Sequence, residues 1–341
     1  MIKMRKIRAG VIGLGIQGSQ HLKAYKSHPL VDLVAAADID ASKLKKAKTE
    51  YGVQQVYLDY KEMIDNAELD LVSVVTPDFA HFEPVTYALR SGVNVIVEKP
   101  LATDPHQAEE MVRLARSKGL MLYVNFGNRW NPPFTVAKQK VASGELGEPV
   151  YSYFRLSDTV YVPYKMLSWA SKTNVVYFLM THTADLAAWI FDDKPVEVYA
   201  VASKKVLKAG GVDTYDYVTA IVEFSRGGRT VLESSWILAE SLPSIVDFRA
   251  EILCSRGTIF IENFGQGIEV GGERFEYPRY LGGYTLNNRY VGFVRESIHH
   301  AIDSLLAGEE TLVKPEEALV NVKLLDAVIR SAETGQKVKI T

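Results

Sequence analysis

Three groups of residues in this 341-residue chain have the types and spacing that chemistry needs. The first is Gly13-Leu14-Gly15-Ile16-Gln17-Gly18, which follows the apolar run Ile7–Ile12 and opens a stretch of helical periodicity. In that setting Gly13 permits a tight turn, Gly15 lets the backbone approach a pyrophosphate, and Gly18 lets helix and strand pack closely. Ile16 and Gln17 complete the loop, where a helix N-terminus would face the phosphates. Glycines also end strands for steric reasons alone, so the loop gains weight only from its partner. A second apolar run ends at Asp38, twenty residues beyond Gly18, where a carboxylate can bind the adenosine ribose hydroxyls. Together they predict dinucleotide binding. Asp38 would repel a 2′-phosphate and is followed by Ile39 and Asp40 rather than Arg, which favours NAD over NADP, although Lys43 and Lys45 lie near enough to soften the preference.

The second group is Val97-Glu98-Lys99-Pro100 at the carboxyl end of an apolar run, the end at which open α/β sheets bind ligands. Composition alone allows a surface lysine with an acidic neighbour. The chemical alternative sets the Lys99 ammonium beside a reacting carbon, where it stabilises a developing alkoxide or relays a proton. A cis Lys99–Pro100 bond is compatible with the motif. The third is His182, on a mostly apolar helical stretch, where a lone histidine is more often a satisfied core residue. Asp185, three residues on and on the same helical face, is placed to orient its ring.

Positioning these residues requires a particular order of elements. Ile7–Ile12, Val31–Ala37, Leu69–Val75, Val93–Val97 and Met121–Val124 read as buried strands, and Gly18–Ser27, Ser42–Tyr51, Ala80–Ser91 and Pro105–Lys118 as the helices joining them. Asp104-Pro105 and Gly119 punctuate the last helix. Such alternation predicts a doubly wound parallel sheet of the Rossmann type over residues 1–125. After Asn131-Pro132-Pro133 the period changes. A helix over Phe134–Ser143 precedes alternating strands at Val196–Ser203, Val218–Phe224, Arg229–Trp236, Val246–Cys254 and Thr258–Glu262, with helices at Thr173–Phe191, Asn288–Leu306 and Pro315–Thr334. This predicts an α+β domain over residues 126–341, built on a large, open, mostly antiparallel sheet, with the C-terminal helix able to return to the first domain.

Composition narrows the classes. With 47% hydrophobic and 23% charged residues and a net charge of −2, nothing points to nucleic acid. One cysteine, Cys254, excludes an intrachain disulfide and a cysteine metal cluster. The adjacent His299-His300 point in different directions on a helix, and no metal is expected. The basic stretch Met1–Arg8 lacks the apolar core of a secretory signal and no run is long enough to span a bilayer, so a cytoplasmic protein without membrane partners is expected.

With these residues in view, the sequence resembles the glucose–fructose oxidoreductase/inositol dehydrogenase (Gfo/Idh/MocA) family across essentially the whole chain. The resemblance is carried by the glycine loop, Val75-Thr76-Pro77-Asp78-Phe79-Ala80-His81, Glu98-Lys99-Pro100-Leu101-Ala102, Asn128-Arg129-Trp130-Asn131-Pro132, His182-Thr183-Ala184-Asp185-Leu186-Ala187-Ala188-Trp189 and Arg330-Ser331-Ala332-Glu333-Thr334-Gly335. It implies an NAD(P)-dependent oxidoreductase acting on a small sugar, polyol or cyclitol and assembling into dimers or tetramers through the open sheet. By position it implies cofactor contacts from Gly13, Gly15, Gly18 and Asp38, a cleft lined by Thr76, Pro77 and His81, Glu98 near the nicotinamide ribose, and Lys99 and His182 as catalytic residues. Many members carry an Asp four residues before that histidine, after a glycine run. Here the positions hold Phe178 and Thr173-Asn174, which marks an Asp-lacking branch.

Asn128, Arg129, Arg155, Trp169 and Thr181 join His182 as substrate candidates, with Tyr153 and Asp158 also near the first strand of the second sheet. The expected reaction is reversible oxidation of a secondary alcohol. An imidazole, ordinarily titrating near ~6.5, is a better base at neutral pH than an amine near ~10.4, so Lys99 is the electrostatic partner. Two rival readings share the fold: a glycoside-processing enzyme that retains NAD through transient oxidation, and an inactive NAD-binding sensor.

Overall fold

Short, largely apolar strands separated by helices force the N-terminal chain into parallel pairing, because only a crossover helix can return it to the same edge. The computed structural model describes residues 6–341; the basic N-terminal stretch lies outside them as far as Arg5. Here β1 (Ile7–Ile12), α1 (Ile16–Ser27), β2 (Val31–Ala37), α2 (Ala41–Lys46), β3 (Gln55–Tyr57), α3 (Tyr60–Asn66), β4 (Leu71–Val74), α4 (Phe82–Arg90), β5 (Asn94–Val97), α5 (Pro105–Lys118) and β6 (Leu122–Val124) follow in order. The strands form one sheet ordered β3-β2-β1-β4-β5-β6, parallel throughout. The order reverses between β1 and β4, which is where such sheets open a ligand crevice. Aspartates cap three of the helices, Asp40, Asp59 and Asp104 each accepting a backbone N–H two residues on. Sequence periodicity did not reveal β3 and α3, since a three-residue strand is too short to show a period.

The chain divides into two compact units, one running to Trp130 and resuming over Gly282–Leu319, the other comprising Asn131–Leu281 and Val320–Thr341. This differs from the single boundary expected at residue 125. The later segment carries the hairpin β15 (Tyr284–Leu286) and β16 (Arg289–Val291) and the helix α9 (Phe293–Ala307), which packs on α1. Its anchors are polar as well as apolar: the Tyr290 hydroxyl donates to Gln20 Oε1 at 2.6 Å, and His299 Nε2 donates to the Ala24 carbonyl at 2.9 Å. The helix expected from Asn288 starts five residues later because Arg289–Val291 pairs as a strand.

The second unit contains α6 (Pro132–Ala142), β7 (Pro149–Thr159), α7 (Thr181–Phe191), β8 (Pro195–Ser203), α8 (Val206–Ala209), β9 (Tyr217–Phe224), β10 (Arg229–Leu238), β11 (Val246–Cys254), β12 (Gly257–Glu262), the small hairpin β13 (Val270–Gly271) and β14 (Phe275–Glu276), and β17 (Val338–Lys339). The helix α10 (Pro315–Thr334) runs through the division and belongs here from Val320. Seven strands pair in the order β12-β11-β7-β10-β9-β8-β17, all antiparallel except β7 with β10, where Arg155 faces Glu233. One face is the core. Phe154 and Leu156 of β7, Val218 and Val222 of β9, and Trp236 of β10 are buried with Phe134, Ile190, Leu325 and Val328 from the helices. The opposite face leaves Tyr151, Tyr199, Val201, Ile221, Leu253 and Phe260 exposed, Phe260 by 74%. The fold class is therefore a Rossmann domain followed by an α+β domain with a mostly antiparallel sheet. Among the described residues no helix is long and apolar enough to cross a membrane.

One of the signature residues has a structural role. Ser331, fully buried on α10, donates to the Gln336 carbonyl at 2.6 Å and accepts the Ala200 N–H of β8 at 2.9 Å. Ser331→Ala leaves both backbone groups without that partner, at a cost of about 2–3 kcal/mol. Urea denaturation of the variant is expected to show this loss with an unchanged m-value.

Candidate active site

At the head of β1 the glycine loop is shaped by two close approaches. Gly13 has φ +89°, and a Cβ there would lie 2.6 Å from the Val75 carbonyl oxygen. A Cβ on Gly18 would run into the carbonyl oxygen of Gly13, so no larger residue allows α1 to start this close to the strand. A Cβ on Gly15, by contrast, would point into open space, and Gly15, Ile16 and Gln17 are exposed at the N-terminus of α1. The helix therefore presents free N–H groups to an open surface that a diphosphate fits.

Asp38 follows β2, 8% exposed. Its Oδ2 accepts the Leu14 N–H of the loop at 2.7 Å and its Oδ1 accepts the Asp40 N–H at 2.9 Å, so the carboxylate braces the loop. Oδ1 keeps a second lone pair for a ribose hydroxyl. The Lys43 ammonium stands 3.5 Å from Oδ2, committed to that carboxylate. These residues fit a dinucleotide.

After β4, half-buried Thr76 donates its hydroxyl to the Ala80 carbonyl at 3.0 Å, and half-buried Pro77 leads into the turn that follows. His81, expected to line the cleft, is 1% exposed instead, with Nδ1 at 2.8 Å from the Pro100 carbonyl and Nε2 at 3.0 Å from the Thr76 carbonyl. It ties the loop after β4 to the loop after β5. Burial pushes its pKa below the usual imidazole value, against the pull of Asp78 and the two carbonyls.

Glu98 and Lys99 follow β5, and the Lys99–Pro100 peptide is cis. Lys99 is half-buried and Glu98 is 7% exposed. Glu98 Oε1 lies 3.0 Å from His21 Nε2 and 2.7 Å from the Asn125 amide nitrogen. Behind them stand further hydroxyls: His21 Nδ1 is 2.8 Å from Ser73 Oγ, which meets the Tyr25 hydroxyl, and Asn125 Oδ1 accepts Ser297 Oγ at 2.7 Å, which meets the Tyr123 hydroxyl. Burial by itself raises the Glu98 pKa. The His21 contact, by hydrogen bond and by charge when protonated, together with the Lys99 charge and the Asn125 bond, overcomes that and brings it to about 2. Sequence reasoning missed His21, Ser73, Asn125 and Ser297. The one available signal was a histidine three residues past Gly18, on the first turns of α1.

Two substrate candidates are committed to the scaffold. Arg129, 3% exposed, pairs with Glu317 at 3.0 Å. Thr181, fully buried, donates to Asn321 Oδ1 at 3.0 Å while Asn321 returns a bond to the Thr181 carbonyl. Asn128 is buried in the turn after β6. Arg155 lies on the open face of the second sheet, 3.5 Å from Glu233 and 3.6 Å from Asp247. His182 is half-buried as the second residue of α7. Preceding it, Val176–Met180 winds as a π-helix, started by Asn174 Oδ1 accepting the N–H groups of Val176 and Tyr177. Phe178 from that turn meets half-buried Trp169 edge-on at 6.0 Å between ring centroids and Trp236 at 5.5 Å. An aromatic wall thus occupies the ground one turn before His182. Among the described residues no group of three or more His, Cys, Asp or Glu side chains is arranged to hold a metal.

The family model described as an oxidoreductase family with an NAD-binding Rossmann fold matches residues 7–126, and its C-terminal alpha/beta domain matches residues 138–340. The chain belongs to the Gfo/Idh/MocA oxidoreductase family. It is 27% identical over 343 residues to a myo-inositol 2-dehydrogenase of Thermotoga maritima, covering 98% of each chain. It is 24% identical to a D-apiose dehydrogenase of Rhizobium rhizogenes, covering 99% of each. Among solved structures it resembles the scyllo-inositol dehydrogenase of Lactobacillus casei with bound NAD(H) and scyllo-inositol, with TM-score 0.82, 20% identity and coverage of 98% of this chain and 99% of that one.

The held carboxylate has a pH signature. Its folded pKa of about 2 lies below the ordinary 4.5, so its stabilisation is complete above 4.5 and is lost as pH falls toward 2. The shift corresponds to a contribution on the order of 3 kcal/mol, about three-fifths of it gone by pH 3. In urea unfolding at pH 6 and pH 3, the stability gap between wild type and Glu98→Gln is expected to narrow. A gap independent of pH would contradict the assignment.

Proposed function

We propose that this protein is an NAD-dependent dehydrogenase that moves a hydride between a secondary alcohol of a sugar, polyol or cyclitol and the nicotinamide. The observation that carries the proposal is the pairing of an open glycine loop with Glu98-Lys99 at the carboxyl ends of one parallel sheet. The cyclitol and sugar substrates of the family relatives support the substrate class. The bound cofactor would supply the hydride acceptor or donor. Gly13, Gly15 and Gly18, with Ile16 and Gln17, would hold the pyrophosphate, Asp38 the adenosine ribose, and Glu98 the nicotinamide-side ribose, beside Thr76 and Pro77. NAD rather than NADP follows from Asp38, whose carboxylate occupies the ground a 2′-phosphate needs, with Lys43 engaged by it.

Lys99 would stabilise the alkoxide that develops as hydride leaves or arrives, and His182 would hold the hydroxyl proton. Phe178 replaces a charged neighbour of that histidine by an apolar one, and Trp169 beside it offers a ring on which a sugar face can stack. The same Phe178 is the one feature favouring an NAD-binding sensor without turnover. A panel of sugars, cyclitols and glycosides with NAD and NADP, followed by nicotinamide absorbance, separates the readings. A substrate-dependent signal, stronger with NAD, is expected, and Lys99→Ala is expected to lower kcat by about 10²–10³-fold with NADH still bound. Silence across the panel with NADH bound would favour the sensor or a cofactor-retaining cycle.

The exposed face of the second sheet is proposed to bind a second copy of this chain. It carries Tyr199, Val201, Ile221 and Phe260 around a core of both signs, Arg155 and Arg249 with Glu233 and Asp247, which makes it self-complementary about a two-fold axis. Sedimentation velocity is expected to find a dimer or tetramer in the wild type and a monomer in Ile221→Asp. A wild-type monomer would contradict this.

A further inference from the structure

The Glu98 carboxylate is approached by two matched relays. On one side His21 Nε2 reaches Glu98 Oε1 at 3.0 Å, with Ser73 and then Tyr25 behind the ring. On the other the Asn125 amide reaches the same oxygen at 2.7 Å, with Ser297 and then Tyr123 behind it. An ionised carboxylate only accepts, so Asn125 must present its NH2 and His21 an N–H on Nε2. Nδ1 then accepts from Ser73 in the neutral ring or donates to it in the protonated one; Nε2–H is the donor to Glu98 in both. His21, Ser73 and Tyr25 are buried, and the relay comes from α1 and β4, whereas the other comes from β6 and α9. Glu98 Oε1 is saturated by this arrangement. Its other oxygen, Oε2, meets the Lys99 N–H at 3.4 Å, a weak contact.

We propose that His21 is a positioning residue. By taking up Glu98 Oε1 from the α1 side it fixes the carboxylate's rotation, so that Oε2 is the oxygen presented to a hydroxyl of the nicotinamide-side ribose. The inference rests on the cofactor reading above and adds a residue that touches neither cofactor nor substrate. It accounts for a fully buried imidazole on the helix that carries the glycine loop: one helix sets both the pyrophosphate cradle and the carboxylate beside the reacting end.

The test compares two ligands on the full chain. NADH carries both riboses, while ADP carries only the adenosine side and cannot reach Glu98. His21→Leu keeps the volume and removes the donor; His21→Gln keeps a donor. Fluorescence and competition titrations are expected to show NADH affinity reduced at least about tenfold in His21→Leu, with ADP affinity within about threefold of wild type. His21→Gln is expected to stay within about threefold for both ligands. Equal losses for NADH and ADP would reduce His21 to a packing role, and unchanged NADH affinity in His21→Leu would leave it no role at Glu98. Failure of the wild type to bind NADH would instead remove the cofactor reading itself. If His21→Leu does not fold, Ser73→Ala, which keeps the ring but removes its anchor, is expected to weaken NADH about threefold and spare ADP. No change there would overturn the proposal.

Discussion

An ionised carboxylate that is 7% exposed has to be compensated, because removing a charge from water costs several kcal/mol when its partners are missing. Glu98 imposes that requirement on the first unit. Its partners come from α1, β6 and the charge of Lys99, and their own partners come from β4 and α9. Four elements, α1, β4, β6 and α9, are thereby held to one carboxylate. The need explains why Gly282–Leu319, far along the chain, folds with the N-terminal sheet: Ser297 on α9 closes one of the two relays. It also explains why the loop after β5 is tied down separately, through His81, to the loop after β4.

The second unit obeys a different constraint. Its sheet must bury one face under α6, α7 and α10 and leave the other uncovered, so its inward residues are apolar and its outward ones mix aromatic rings with charges of both signs. On the inner side Ser331 ties a helix to a strand, and the Thr181–Asn321 pair ties α7 to α10. One turn before His182, the Phe178 ring lies between those of Trp169 and Trp236.

Much of this was legible in the residues. Strands β1, β2 and β11 and helices α5 and α10 have the limits that periodicity and capping predict, because each is long and strongly patterned. The glycine loop and Asp38 were recognisable because their spacing follows from backbone geometry. The illegible parts share a cause: they depend on which distant residue a side chain meets. Arg129 and Thr181 read as pocket residues until Glu317 and Asn321, more than a hundred positions away, claim them. His81 looked like a cleft residue, yet two carbonyls hold it inside. The helix over Thr173–Phe191 was expected to be continuous, but the Asn174 side chain starts a π-turn within it. His21 gave no periodic signal, and its meaning appears only with Glu98.

The measurement that bears most directly on the account is a crystal structure with NADH. The diphosphate is expected over Gly15 at the start of α1, Asp38 on the adenosine ribose, and Glu98 Oε2 within hydrogen-bonding distance of the other ribose while Oε1 stays on His21 and Asn125. A cofactor bound away from the glycine loop, or a Glu98 side chain turned off both relays, would contradict it.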